Sequence, residues 1–311
     1  MKGKPVVDPV YMTATYKFDT SDDLIDVVQN RSGYIYSRWD NPSVAAAEAE
    51  LAQLEGYASS VGFGSGMAAI TTAIMANVKA GDRIVSTQEI YGGTYELLHD
   101  TLPAYHVDTV MVNCWDRERL FTEIEKGLNL LYLETPTNPL LRVVDIKPLA
   151  DAAHARGAVV LLDATFASPV NQHPVDLGVD VVIHSATKYL GGHHDVTAGF
   201  VCCNEPYFQK IWSLRKVLGG IMDPMTAFMT LRGMRTLALR IQRHNDNAMQ
   251  IARFLETQDT VKCVHYPGLT SHPEHGVAKK QMSGFGGMLS FEINGDFDQT
   301  KRFMDALGII K

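Results

Sequence analysis

Two residues are placed for covalent chemistry. The run Val181-Val182-Ile183-His184 leads through Ser185, Ala186 and Thr187 to Lys188, and the run Val159–Leu162 ends in Asp163. In a parallel sheet, ligands bind beyond the carboxyl ends of the strands, so these side chains face the same cleft. Alone, each has an ordinary reading: Lys188 as a solvated surface lysine, Asp163 as a helix cap or metal ligand. Together they suit opposite ends of a pyridine ring. Asp163 would keep the ring nitrogen protonated, making the ring an electron sink, while Lys188 would hold a ring aldehyde as a Schiff base. That describes pyridoxal 5′-phosphate (PLP). Free lysine has a reference pKa of about 10.4 and is neutral at pH 7 only about once in a few thousand molecules. Imine formation and desolvation remove that handicap.

The phosphate of such a cofactor needs donors. Ser185 and Thr187 flank the lysine, and Gly64-Ser65-Gly66-Met67 opens a helical pattern whose first amides and dipole favour an anion. A nicotinamide-type GxGxxG competes for that segment, but the third glycine of Gly62-Phe63-Gly64-Ser65-Gly66-Met67 comes one place early. A Walker A loop lacks its Gly-Lys-Ser/Thr. Tyr91, before Gly92 and Gly93, could stack on a planar ring or simply anchor a turn. His193-His194-Asp195 and His272-Pro273-Glu274-His275 read as polar loop residues, because adjacent ligands diverge and the proline breaks helical spacing; no metal is expected.

Positioning these residues calls for a layered α/β fold. Short apolar runs at Arg83–Ser86, Thr109–Val112, Leu130–Leu133, Val159–Leu162, Val181–His184 and Gly199–Cys202 read as buried strands. Helical patterns lie between them at Val44–Glu55, Met67–Val78 and Ile146–Arg156, the last with Asp145 as its cap. The expected architecture is a mostly parallel central sheet with helices on both faces. Thr226–Leu255 reads as one long helix, and Gly287–Ile293 alternates like a half-buried strand of a smaller α+β domain. The boundaries are expected near residues 40 and 235: an extended N-terminal arm over 1–40 that reaches a partner subunit, a large cofactor domain over 41–235, and the start of a second domain over 236–311.

The 311 residues carry a formal net charge of −7, which lacks the basic face nucleic acid requires and favours small-molecule substrates. The four cysteines show no CxxC spacing and are too few for a disulfide framework, so a reducing, cytoplasmic setting is expected. Met1–Val10 lacks a signal pattern and no run is long enough for a membrane span, so neither export nor insertion is expected.

The motifs, in order, resemble the marker segments of the Cys/Met-metabolism PLP enzymes: Tyr34-Ile35-Tyr36-Ser37-Arg38-Trp39-Asp40-Asn41-Pro42-Ser43, Gly64-Ser65-Gly66-Met67, Tyr91-Gly92-Gly93-Thr94, Glu134-Thr135-Pro136-Thr137-Asn138-Pro139, Asp163-Ala164-Thr165-Phe166-Ala167-Ser168-Pro169 and Ser185-Ala186-Thr187-Lys188-Tyr189. Leu218-Gly219-Gly220, Leu231-Arg232-Gly233-Met234 and the stretch from Tyr266 to Gly287 resemble the plant-type cystathionine γ-synthase branch. The resemblance implies an aspartate-aminotransferase-type fold and a homotetramer of dimers that share active sites. It implies that Tyr36 and Arg38 bind the cofactor phosphate of the partner subunit, and that Gly66, Met67, Ser185 and Thr187 complete that site within the chain. Tyr91 would stack on the ring and take part in catalysis, Asp163 would pair with the ring nitrogen, and Asn138 would lie near the ring hydroxyl. Lys188 would be both anchor and proton shuttle. The implied reaction is γ-replacement of an activated homoserine ester by cysteine to give cystathionine; alternatives are a cystathionine or methionine γ-lyase, an O-acetylhomoserine sulfhydrylase, and an inactive PLP-binding fragment. Methionine γ-lyases usually carry cysteine where this chain has Gly93, and a lysine-aspartate pair where it has Arg215-Lys216. The substrate-carboxylate arginine of relatives lies in a further stretch, so the second domain is expected to be incomplete at Lys311.

Overall fold

The computed structural model describes residues 5–309; the first four residues of the expected arm and the last two of the expected second domain lie outside the described residues. Seven strands, β1 (Ser59–Phe63), β2 (Arg83–Thr87), β3 (Asp108–Val112), β4 (Leu130–Glu134), β5 (Val159–Asp163), β6 (Val181–Ser185) and β7 (Gly199–Cys203), form one sheet in the order β1-β7-β6-β5-β4-β2-β3. β3, β2, β4, β5 and β6 run parallel, and β7 is antiparallel to both β6 and β1. The strands β4–β7 are apolar almost throughout because helices cover both faces. Strand β1 escapes a sequence reading, since Ser59-Ser60 and Gly62 dilute its apolar pattern.

The helices are α1 (Ser21–Asn30), α2 (Pro42–Glu55), α3 (Gly66–Met75), α4 (Gly92–Glu96), α5 (Arg117–Glu125), α6 (Ile146–His154), α7 (Ser168–Asn171), α8 (Tyr207–Leu218), α9 (Pro224–Met234) and α10 (Leu237–Glu256). Leu131, Leu133, Val160, Leu162 and Val182 pack with α2, α5, α6 and α9 on one face. Leu130, Tyr132, Leu161, Val181 and Ile183 pack with α3 and α8 on the other. Side chains alternate along a strand. Glu134 therefore shares a face with Tyr132, Asp163 with Leu161 and Ser185 with Ile183, all on the α3 side.

Beyond α10, β8 (Val261–His265) and β9 (Ser290–Ile293) pair antiparallel, accompanied by α11 (His275–Gln281) and α12 (Phe297–Asp305). Val264, Tyr266 and Phe291 pack with Ala248 and Ala252 of α10 in a small separate core.

The structure corrects four expectations. The N-terminal segment is not extended throughout, because Thr20 accepts the N–H of Asp23 and starts α1, which ends at Arg31 in a left-handed conformation. The long helix over Thr226–Leu255 is two helices. Gly233 lies so close to the carbonyl of Gly191 that a Cβ there would sit 2.3 Å from it, and the chain turns at Arg235-Thr236. Arg240, on α10, donates to the carbonyls of Gly233 and Tyr189, both at 2.8 Å, and fixes the break. Asp145 stands at the start of α6 but makes no cap hydrogen bond; its carboxylate meets Arg117 at 3.4 Å. His272 is no solvated loop residue. It is 3% exposed, and its Nδ1 accepts the N–H of Glu274.

Candidate active site

Strand β6 delivers its chain end to a tight turn. The N–H of Lys188 donates to the carbonyl of Ser185 at 3.1 Å, and those of Gly191 and Gly192 return to Ala186 and Lys188, each at 2.8 Å. Gly192 has φ +77°, which suits glycine. The turn leaves the Lys188 side chain exposed beyond the sheet while Ala186 and Leu190 are buried beneath it.

Asp163 ends the neighbouring strand and is only 5% exposed. Its Oδ1 accepts the N–H of Thr165 at 2.9 Å, and the Thr165 hydroxyl accepts the N–H of Ser185 at 2.8 Å. Two strand ends are thus tied through one threonine. Burial pushes the Asp163 carboxyl above its usual range, opposed by the Thr165 hydroxyl and N–H and by nearby His184. His184 points to the opposite sheet face, where its Nε2 lies 2.5 Å from the Glu55 carboxylate in a wholly buried pair.

The start of α3 meets this rim. Ser65 caps the helix by accepting the N–H of Ala68 at 3.1 Å. A Cβ on Gly66 would lie 2.9 Å from that of Ser185, and one on Gly199 would lie 2.3 Å from the Ser65 carbonyl. Both positions therefore require glycine, and their closeness brings Gly66 and Met67 beside Ser185. Thr187 is fixed next to them, its Oγ1 accepting the N–H of Ala198 at 3.1 Å. The amides of Gly66 and Met67 open the helix and have no intrahelical acceptor. Two amides, two hydroxyls and a helix N-terminus form a cradle of the right chemistry for a phosphate.

Tyr91 precedes α4 and is 50% exposed. A Cβ on Gly93 would lie 2.9 Å from the Tyr91 ring and 3.0 Å from the sulfur of Met67, so Tyr91 borders the same cleft as the cradle. Its N–H donates to Oε2 of Glu134 at 2.7 Å. Glu134 is buried and pairs in register with Asp163. Sequence reasoning did not assign it a role, although two acids closing consecutive strands were there to be seen. Asn138 is exposed on the loop after Glu134.

Among the described residues, neither the Tyr36 nor the Arg38 side chain hydrogen-bonds Lys188, Asp163 or the cradle residues. Both are exposed; the Arg38 guanidinium lies 5.2 Å from the Tyr36 ring centre and donates to the carbonyl of Lys216 on α8. Arg215 holds their segment, donating to the Trp39 carbonyl and to Asp40 while also pairing with Glu48 at 2.9 Å.

The residues present fit PLP: a buried acid, an exposed amine one strand away, an anion cradle and an aromatic edge border one rim. Among the described residues, Cys263, His265 and Glu292 also cluster, their ligand atoms within 4.8 Å of one another on β8 and β9, far along the chain from this rim.

Cystathionine γ-synthase 1, chloroplastic, of Arabidopsis thaliana is 42% identical over 306 residues, 98% of this chain and 54% of that protein. The chain thus spans about half the length of this relative, and 57% of its Nicotiana tabacum counterpart. The cystathionine β-lyase of Lactococcus lactis is also 42% identical, over 96% of this chain and 77% of its own. The crystal structure of cystathionine γ-synthase from Xanthomonas oryzae pv. oryzae, in complex with aminoacrylate and cysteine, superposes with a TM-score of 0.93 at 35% identity, covering 98% of this chain and 78% of that one. The model of the Cys/Met metabolism PLP-dependent enzymes matches residues 2–311, and the chain belongs to that family.

Proposed function

We propose that the protein of this chain catalyses γ-replacement on an activated homoserine ester, with cysteine as the incoming thiol and cystathionine as product. The observation that carries the reading is the meeting of Lys188, Asp163 and the α3 N-terminus at one rim of the sheet. When bound, PLP supplies an electron sink that stabilises negative charge at the carbons of an attached amino acid. Asp163 would hold the proton on the ring nitrogen. Gly66, Met67, Ser185 and Thr187 would bind the phosphate, joined by Tyr36 and Arg38 of a partner subunit. The Tyr91 ring would cover one face and keep water from it, with Asn138 near the ring hydroxyl. Lys188 would take the α-proton at its Nζ and return protons later in the cycle.

The proposal extends to the assembly: a homotetramer of site-sharing dimers in the cytoplasm, acting on small amino acids and binding no nucleic acid. It divides the chain into an arm over 1–40, a cofactor domain over 41–235 and a second domain over 236–311. Among the described residues no helix is long and apolar enough to cross a membrane.

A lyase is the second reading, favoured by the likeness to L-methionine γ-lyase of Porphyromonas gingivalis and to the L. lactis β-lyase. Against the methionine enzyme stands Gly93, where a side chain would press on both Tyr91 and Met67. Purified protein given PLP, a homoserine ester and cysteine should form cystathionine. Release of a 2-oxo acid from cystathionine alone, with none formed from the ester and cysteine, would replace synthase by lyase. A yellow protein without either product would indicate a cofactor-binding fragment.

A further inference from the structure

Glu134 has no task in the reaction outlined above, yet it stands beside the acid on which that reaction depends. It faces Asp163 across β4 and β5 in register, on the same sheet face, and adjacent strands lie only about 4.8 Å apart. The two residues are 6% and 5% exposed. No lysine or arginine among the described residues pairs with either carboxylate. The groups that face them are the phenol of Tyr132 on β4, the N–H of Tyr91 before α4, the loop N–H of Asn138 and the donors of Thr165; His184 is turned away, engaged with Glu55. Two negative charges so close in a poorly solvated place repel, and one acid keeps its proton. Asp163 receives two donors from Thr165 and feels His184, all of which favour its charged form. Burial and the Asp163 charge push the Glu134 carboxyl well above its usual range, against the N–H donors of Tyr91 and Asn138, and no cation offsets them there as His184 does for Asp163.

We propose that Glu134 is a positioning residue of the cofactor site. It carries the one proton held by the Glu134–Asp163 pair, leaves Asp163 as the single negative charge at the strand ends, and through Oε2 fixes the backbone of Tyr91. The part concerning the ring and its cover rests on the PLP reading; the shared proton does not. An ionised Glu134 would split the attraction for a ring-nitrogen proton between two acids. A neutral one keeps that proton aligned on Asp163 while its carbonyl oxygen still accepts from Tyr91. The side chain of Tyr132, wholly buried beside them, marks how little solvent reaches this layer.

The test uses the whole chain with Glu134→Gln, Glu134→Ala and Asp163→Asn. Infrared spectra of the cofactor-free protein at pH 7 should contain the carbonyl stretch of a neutral buried carboxylic acid, sensitive to deuterium exchange. That band should vanish in Glu134→Gln, and in Asp163→Asn it should titrate away at lower pH, because the neighbouring charge is gone. Glutamine keeps the acceptor for Tyr91, so Glu134→Gln should bind PLP within about threefold of wild type, whereas Glu134→Ala should bind about tenfold more weakly. A band that persists in Glu134→Gln, or glutamine and alanine variants that weaken binding equally, would overturn the proposal. Because the band is read without cofactor, a chain that shows it but never binds PLP would overturn the cofactor reading alone.

Discussion

In the proposed reaction Lys188 and Asp163 would be asked for opposite things, a mobile proton and a fixed charge, and their surroundings differ. Lys188 stands exposed on a glycine-bounded turn, whereas Asp163 is buried and held by Thr165. Replacing Lys188 by alanine should abolish the borohydride-fixed adduct and lower turnover by at least about 10²-fold, the usual weight of a positioned base. Absorbance and product assays check both. The acid pair sets a pH dependence whose sign follows from its direction. The folded-state pKa of Glu134 lies above its ordinary 4.5, so the folded protein binds the extra proton. Its contribution to stability is complete below that ordinary value and is lost as pH rises toward the raised one. In urea titrations of cofactor-free protein, the midpoint should therefore fall with rising pH more steeply for wild type than for Glu134→Gln. Parallel slopes would show that Glu134 ionises normally.

At the scale of elements, the site depends on how closely backbones approach. The α9–α10 break exists because Gly233 rests on the Gly191 carbonyl, immediately after the turn that carries Lys188. Gly233→Ala should cost about 2 kcal/mol or more in overpacking and displace that turn, read as a lower melting temperature together with weaker PLP binding. Arg215 of α8 joins α2, β1 and the arm through Glu48, the Gly62 carbonyl, the Trp39 carbonyl and Asp40. It is 2% exposed, so Arg215→Met should cost about 3 kcal/mol by leaving buried partners uncompensated. Glu48→Met in the same chain should recover part of that loss, as a double-mutant denaturation cycle would reveal.

On the scale of the whole molecule, α1 has no buried residue, and its apolar side chains Leu24, Ile25 and Val28 are exposed in the single chain. Tyr36 and Arg38 follow it, both exposed, with the Arg38 guanidinium on the Lys216 carbonyl of α8. If the sites are shared, Lys188→Ala and Arg38→Ala proteins, each nearly inactive, should on mixing and reassembly recover roughly a quarter of wild-type activity, the statistical share of intact sites in mixed dimers. No recovery would place each site within one chain.

Much of this was legible without coordinates. Apolar runs ending in Asp163 and Ser185 set the strand ends, because a strand covered on both faces must be apolar throughout and its first polar residue marks the rim. Gly66 marked a helix opening for the same local reason. The kink at Gly233, the cover over His272 and the partner of Asp145 could not be read, since each depends on groups distant in sequence: the Gly191 carbonyl, the Leu141 backbone and the Arg117 guanidinium. Glu134 makes the division plain. Its type and strand-end position belong to the sequence; only the register of β4 against β5 put it beside Asp163, and repulsion between two buried carboxylates, a through-space effect, has no signature in a chain read one residue at a time.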